Sequence, residues 1–335
     1  MTPRVSVLLP VRDGADHLPG CIDSLRGQSL RDLEVVAVDD GSSDGSGEIL
    51  EARARDDPRI RVVRQEPRGL VPALERARRL ARAPLLARMD HDDVALPRRL
   101  ETQVDLLAER PDLVLCGCLV RTVPRAGMTD GARRYERWLN GLVEPHEIER
   151  DLLVECPVAH PTFMVRASAL AAVGGYRDRG WPEDYDLLLR LWHGGGTFAK
   201  VPEVLLEWRD RPDRLQRRSG VYAPEAFRRC KVDALRRSLL PGRDGVVVWG
   251  AGPTGKGFAR SLRAAGVPLV AFVDLDPRKI GQEIHGAPVV APEGISAFRG
   301  AFCVAAVGQP GARAEIRAAL RDAGWREMED FCAVA

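Results

Sequence analysis

Leu33-Glu34-Val35-Val36-Ala37-Val38-Asp39-Asp40-Gly41-Ser42-Ser43-Asp44 is the stretch on which the fold turns. Residues 33–38 form an apolar run of strand length, and the run ends on an aspartate pair followed by turn chemistry. Upstream, Val5-Ser6-Val7-Leu8-Leu9-Pro10 reads as a short buried strand stopped by its proline. Residues 18–25 between them are helical in pattern. Downstream, Ser46 is placed to cap a helix running through Ile49 and Leu50. Residues 60–63 read as a third strand, 71–81 as a helix and 85–89 as a fourth strand. Strands alternating with helices imply a mostly parallel sheet wrapped on both faces. Ligands of such sheets bind outside the carboxyl ends of the strands.

Two further acidic clusters stand in similar settings. Met89-Asp90-His91-Asp92-Asp93 follows the apolar Leu85-Leu86-Ala87, and Pro182-Glu183-Asp184-Tyr185-Asp186 opens a helix over 187–192. A carboxylate at Asp39 or Asp40 can accept hydrogen bonds from a uracil-like N–H or from ribose hydroxyls. The same pair also reads as a strand end before an Asp-Gly turn. An Asp-x-Asp at a strand end suits a hard, oxygen-seeking cation such as Mg2+ or Mn2+. The competing reading is a solvated acidic loop ahead of the next helix, over 98–108, with His91 as a spacer. Glu183 and Asp184 serve as a capping pair in the helix dipole, or Asp184 takes a proton from an acceptor hydroxyl. His160 either lines the acceptor side or is structural.

Composition narrows the class. The 335 residues fit two domains. Lys plus Arg is 50 against 48 Asp plus Glu, a balance that argues against a nucleic-acid binder. Seven cysteines lack any Cys-x-x-Cys pair, so reduced, buried thiols in a cytosolic protein fit better than a zinc site. Cys116 and Cys118 alternate along an apparent strand over 113–120 and should share a face. No signal peptide or long apolar run appears, so the expected location is cytoplasmic, with peripheral contact at the inner membrane face allowed. Residues 121–140, rich in Gly and Arg with weak periodicity, are expected to be a loop or variable insert.

The order and spacing of these pieces resemble the family-2 glycosyltransferases, whose nucleotide-diphospho-sugar transferase fold is called GT-A. The matching stretches are 5–11, 38–46, 87–93, 97–103, His160-Pro161-Thr162, Gly174-Gly175-Tyr176 and Glu183-Asp184-Tyr185-Asp186-Leu187, so the likeness spans roughly 3–215. It implies an inverting transfer of sugar from a nucleotide-diphospho-sugar donor to a hydroxyl on a saccharide or lipid-linked acceptor. Pro10, Val11, Asp13, Asp40 and Arg88 would line the nucleotide site. Asp90 would approach the ribose or diphosphate, Asp92 would hold the metal with Asp93 sharing the task, and Asp184 would be the base. The family often has Tyr-Asn where this chain has Arg12-Asp13. A late loop that closes over the diphosphate would correspond to residues 208–218, whose arginines can clamp phosphate. A solvated basic face or contact with anionic lipid are the other readings of that loop.

A linker, Pro241-Gly242-Arg243-Asp244-Gly245, separates domains expected at 1–241 and 242–335. Beyond it comes a strand over 246–249, then Gly250-x-Gly252-x-x-Gly255 opening a helix, then a strand over 269–273 ending in Asp274. This is a dinucleotide-binding fingerprint in context. It resembles the small Rossmann-like domain of sugar-modifying acyltransferases. Gly250, Gly252, Gly255 and Asp274 are the candidate cofactor residues, NAD(P) being admitted but less expected than a structural or oligomerising module. Two other classes remain open: an NAD(P)-dependent sugar-modifying enzyme centred on this domain, and a non-catalytic nucleotide-binding scaffold.

Overall fold

The computed structural model describes residues 2–211 and 219–335. The chain parts into two compact units. The first comprises Met1–Ile148, Pro157–Arg179 and Arg190–Arg218, and the second Glu149–Cys156, Gly180–Leu189 and Ser219–Ala335. Residues 219–241, expected with the first domain, thus group with the second unit.

The first unit is built on an eight-stranded sheet. Its strands are β1 (Val5–Val11), β2 (Leu33–Asp39), β3 (Ile60–Arg64), β4 (Leu85–Arg88), β5 (Val94–Ala95), β6 (Leu113–Val123), β7 (Met164–Arg166) and β8 (Thr197–Arg209), in the order β3-β2-β1-β4-β7-β6-β8-β5. β3, β2, β1 and β4 run parallel, and β6 and β8 run parallel to each other. β7 and β5 are the antiparallel members. Every residue of β1 and β2 is buried, which is why both are mostly apolar rather than alternating. The helices α1 (Leu18–Arg26), α2 (Ser46–Asp56), α3 (Leu70–Leu80) and α4 (Arg99–Glu109) follow successive strands and turn apolar stripes inward, as with Leu18, Cys21, Ile22 and Leu25 of α1.

Two polar residues lie inside this apolar sandwich. Ser6 and Glu34 are buried, and the Ser6 hydroxyl donates to Glu34 Oε1 at 2.6 Å. The Arg82 amide donates to the same oxygen at 2.8 Å, and Arg82 Nε donates to Oε2 at 2.9 Å. The pair is therefore satisfied, as burial requires.

The segment expected to be a loop over 121–140 is largely ordered secondary structure. β6 continues to Val123, and α5 (Asp130–Asn140) follows, its N-cap Thr129 accepting from the Ala132 amide at 3.1 Å. Only Leu139 of α5 is fully buried; the helix is amphipathic, and its strongly polar composition is what made the stretch read as a loop. The cap expected at Ser46 falls on Gly45 instead, at φ 93°. Ser46 Oγ is engaged elsewhere, accepting from the Gly14 amide at 2.9 Å. Short helices α6 (Pro145–Asp151) and α7 (Ala167–Ala172) and the longer α8 (Glu183–His193) follow in the chain. Among the described residues no helix is long and apolar enough to cross a membrane.

The second unit carries a six-stranded sheet in the order β11-β12-β10-β9-β13-β14, formed by β9 (Val246–Trp249), β10 (Leu269–Val273), β11 (Glu283–Ile284), β12 (Ala287–Val290), β13 (Phe302–Ala305) and β14 (Phe331–Ala333). All neighbours are parallel except β11 with β12. Helices α9 (Pro224–Ser238), α10 (Pro253–Ala264) and α11 (Ala312–Asp322) belong to it. β9 lies between β10 and β13, so the connections leave it in opposite directions. That is a doubly wound arrangement.

All seven cysteines are buried, and none forms a disulfide. Cys116 and Cys118 sit in β6 on one face, as alternation requires.

Candidate active site

Three parallel strands bring the first-unit candidates to one sheet edge. Val11 is registered with Asp39, and Leu8 with Arg88, so the carboxyl ends of β1, β2 and β4 place Pro10–Val11, Asp39–Asp40 and Arg88–Asp90 side by side. Pro10 and Val11 are buried strand residues, and the Val11 carbonyl accepts from the Asp40 amide at 2.9 Å.

Asp40 is buried and heavily used by its own chain. Its Oδ1 accepts from Gln65 Nε2 at 2.7 Å and from the Arg68 amide at 2.8 Å, and its Oδ2 accepts from the Gly69 amide at 2.8 Å. Arg12 Nη1 donates to the Asp40 carbonyl at 2.9 Å. Asp40 thus fixes the loop after β3 against the end of β2. The turn between them needs glycine at 41: φ is +73°, and a Cβ there would stand 2.7 Å from Pro67 Cδ.

Asp13, the departure from the family pattern, sits in the left-handed region at φ 46°. Its Oδ1 accepts from the Ser43 amide at 2.9 Å, and its own amide donates to Ser42 Oγ at 3.0 Å. The Ser43 amide is the chief cause holding the Asp13 carboxyl below its ordinary value. Asp13 therefore joins the first loop to the Ser42-Ser43 turn.

The acidic loop after β4 is a convergent cluster. One carboxylate oxygen from each of Asp90, Asp92 and Asp93 lies within 4.8 Å of the others. Asp92 and Asp93 are buried, and Asp90 is partly open. Arg88 forms an ion pair with Asp90. The Arg209 amide donates to Asp93 Oδ1 at 2.8 Å, Arg209 Nε donates to the Asp92 carbonyl at 3.0 Å, and Arg211 Nε is 3.1 Å from Asp92 Oδ2. Grouped carboxylates repel one another unless cations or donors stand between them. Hard oxygen donors in this number fit Mg2+ or Mn2+, and a soft ligand is not among them. His91 lies between these acids in the chain. A Cβ on Gly14 would stand 2.3 Å from His91 Cδ2, so the ring packs on the first loop, and burial lowers its pKa.

His160 is buried, with Nε2 3.3 Å from the Tyr176 hydroxyl and its ring edge-on to Phe163 at 5.1 Å. It is a packed core side chain. Of the late-loop arginines, Arg209 and Arg211 are placed at the acidic cluster, and Arg214, Arg217 and Arg218 lie outside the described residues.

Asp184 belongs to the second unit, in the first turn of α8. Its neighbours Glu183 and Asp186 are buried and committed. Tyr222 donates to Glu183 Oε2 at 2.7 Å, and Trp181 Nε1 donates to Asp186 Oδ1 at 3.0 Å. Asp184 is half-buried and accepts from the Tyr185 amide at 2.7 Å.

Also in the second unit, Gly250, Gly252 and Asp274 line one cavity, and Gly255 packs behind it. Asp274 accepts from the Ala251 amide at 2.7 Å, the Asp276 amide at 2.9 Å and Lys279 Nζ at 3.0 Å. Burial opposes ionisation there, but these donors together hold its carboxyl below the ordinary value.

Sequence reading did not mark Gln65, Arg68 and Gly69, which wrap Asp40, nor the precise part played by Arg209. The Pro67-Arg68-Gly69 turn sequence was the one local signal for a backbone wrap.

A mixed, mostly parallel sheet whose carboxyl edge gathers Asp40 and a carboxylate triad is the GT-A arrangement of sugar transferases. The model of glycosyl transferase family 2 matches residues 6–174, and the chain belongs to that family. The Bacillus subtilis (strain 168) protein EpsE is 30% identical over 226 residues, covering 66% of this chain and 78% of its own. The amylovoran biosynthesis glycosyltransferase AmsE of Erwinia amylovora is 29% identical over 218 residues, covering 64% of this chain and 79% of its own. The solved structure of the mannosyltransferase PcManGT from Pyrobaculum calidifontis, in complex with GDP-Man and Mn2+, superposes with a TM-score of 0.52 at 21% identity, covering 79% of this chain and 76% of that one. The protein is a glycosyltransferase that uses a nucleotide-sugar donor.

Proposed function

We propose that the enzyme is an inverting, metal-dependent transferase that adds a sugar to a hydroxyl of a saccharide or lipid-linked acceptor during surface polysaccharide or glycoconjugate assembly. The carboxylate triad Asp90, Asp92 and Asp93 beside Asp40 at one sheet edge carries this reading. The named role of AmsE and the GDP-Man and Mn2+ bound to PcManGT support it by likeness.

In this reading Pro10, Val11, Asp13 and Asp40 frame the nucleotide pocket, with Asp40 acting chiefly through the 65–69 loop it holds. Arg88 orients Asp90 toward the ribose or diphosphate. Asp92, with Asp93, would hold Mg2+ or Mn2+, which would offset charge on the departing diphosphate. Arg211 then leaves Asp92 for phosphate oxygens, a move between two anionic partners. Asp184 accepts the acceptor hydroxyl's proton as its oxygen attacks the anomeric carbon. The bond to the diphosphate breaks on the opposite face, so one displacement inverts the centre. The enzyme works in the cytoplasm, with acceptor lipid reached from the membrane surface and a homo-oligomer allowed.

A donor screen reading UDP, GDP or dTDP release with Mn2+ or Mg2+ tests the proposal. Release from at least one donor, dependent on an acceptor sugar, is expected. No release from any donor with either metal would overturn it.

A further inference from the structure

The second unit contains a cavity of about 650 Å3 along the carboxyl edge of its sheet. It lies where β9 is flanked by β10 on one side and β13 on the other, the point at which the strand order reverses. Its size falls within the roughly 300–1,000 Å3 of small-molecule sites.

Each wall of the cavity has its own chemistry. Gly255 seats α10 directly on the preceding loop, since a Cβ there would stand 1.7 Å from the Gly250 carbonyl oxygen. Gly252, at the start of that helix, faces open space, with nothing within 4 Å of where a Cβ would be. Bare backbone therefore fronts the cavity. At the end of β10, Asp274 Oδ1 accepts from the Asp276 amide and Oδ2 from Ala251 and Lys279. A carboxylate offers about four lone-pair positions, so Asp274 keeps capacity for a further donor. Leu275 beside it is 70% exposed at the cavity, and Ile316 adds a second apolar surface. Four lining carboxylates, Asp274, Asp276, Glu293 and Glu315, face one lining cation, Lys279. A second phosphate beside Asp274 would be repelled.

We propose that the second unit binds a 5′-ribonucleotide with a free ribose diol. The diol donates to Asp274, the base lies against Leu275 and Ile316, and the single phosphate meets the backbone at Gly252. The assignment stands independently of the first unit's chemistry.

The test is titration calorimetry of the full chain carrying Asp92→Asn, in chelator, with AMP, GMP, UMP and CMP. At least one should bind in a 1:1 ratio. Its 2′-deoxy and 2′-phosphate forms should bind about tenfold more weakly or worse, the effect of a lost hydrogen bond to a charged group. Gly252→Asp, which places a carboxylate in the open space without a clash, should abolish the binding. In an otherwise wild-type chain it should leave sugar transfer unchanged, which also reports that the protein is folded. Asp274→Asn, of equal volume, should weaken binding about tenfold. Absence of binding by all four nucleotides would overturn the proposal, as would binding indifferent to Gly252→Asp or equal affinity for the 2′-deoxy form.

Discussion

Arg211 Nε stands 3.1 Å from Asp92 Oδ2, so a cation from the end of β8 already occupies one carboxylate of the triad. A divalent metal must compete with that guanidinium. Asp92→Asn is expected to cut transfer about 10²–10³-fold, the usual scale for losing one electrostatic contact to a leaving group. Arg211→Ala should tighten Mn2+ binding in the absence of donor while lowering the transfer rate. Calorimetry with Mn2+ reads the first effect and nucleotide release the second. Full activity in excess chelator would remove the metal from the scheme.

Asp184 differs from the acids around it in being only half-buried, with Glu183 and Asp186 held by Tyr222 and Trp181. In the proposed reaction the base meets its acceptor from the more exposed position of the three, which is that of Asp184. Asp184→Asn should leave donor affinity within about twofold and reduce transfer about 10²–10⁴-fold, the range for general-base loss. Donor affinity measured by calorimetry, beside product formation, separates the two. Wild-type turnover in this variant would place the base elsewhere.

The same contrast explains what the sequence made legible. β1, β2 and β4 are buried on both faces, so apolar content alone reveals them, and aspartates at their ends mark the edge. β5 has two residues and β7 three, too few for any period. β8 is interrupted by Pro202, Glu203 and Glu207, and its pairing with β6 carries register shifts. α5 buries one side chain fully, and α9 lies in a basic stretch whose buried face includes Cys230 and Lys231. At the site, Asp92 and Asp40 were visible as residues. Their partners were not, because Arg209 meets Asp93 across 116 residues of sequence, a relation that only the folded sheet creates.

Glu34 makes a prediction about acid. Burial would raise its pKa, but the hydrogen bonds from Ser6 and Arg82 outweigh burial and set it below its ordinary value of 4.5. A carboxyl lowered on folding adds stability above the unfolded value and loses it as pH falls through the folded value. The first unit should therefore lose stability below about pH 4.5. Glu34→Gln should flatten that dependence. Glu34→Ala should cost about 2–3 kcal/mol at pH 7, since it leaves the Ser6 hydroxyl and the Arg82 amide without their acceptor. Chemical denaturation across pH 3–7 measures both. A parallel pH dependence in Glu34→Gln would assign the acid sensitivity to other carboxyls.

Gly255 tests how the second unit is held together. A methyl group there would meet the Gly250 carbonyl at 1.7 Å, and both atoms belong to backbone that is fixed on either side. Gly250 is itself at φ +110° with Val307 and Ala306 behind it, so the carbonyl cannot simply retreat. Relief requires α10 to move away from β9, which exposes part of the apolar face formed by Phe258, Ala259 and Leu262. Overpacking of this kind commonly costs about 1–3 kcal/mol, and backbone against backbone should fall at or above the top of that range. Gly252→Ala, where a Cβ meets nothing within 4 Å, is the matched control and should stay within about 1 kcal/mol of the parent. Thermal unfolding of the two variants side by side gives the answer. Equal melting temperatures would mean that α10 does not pack on the loop as closely as the glycine geometry requires.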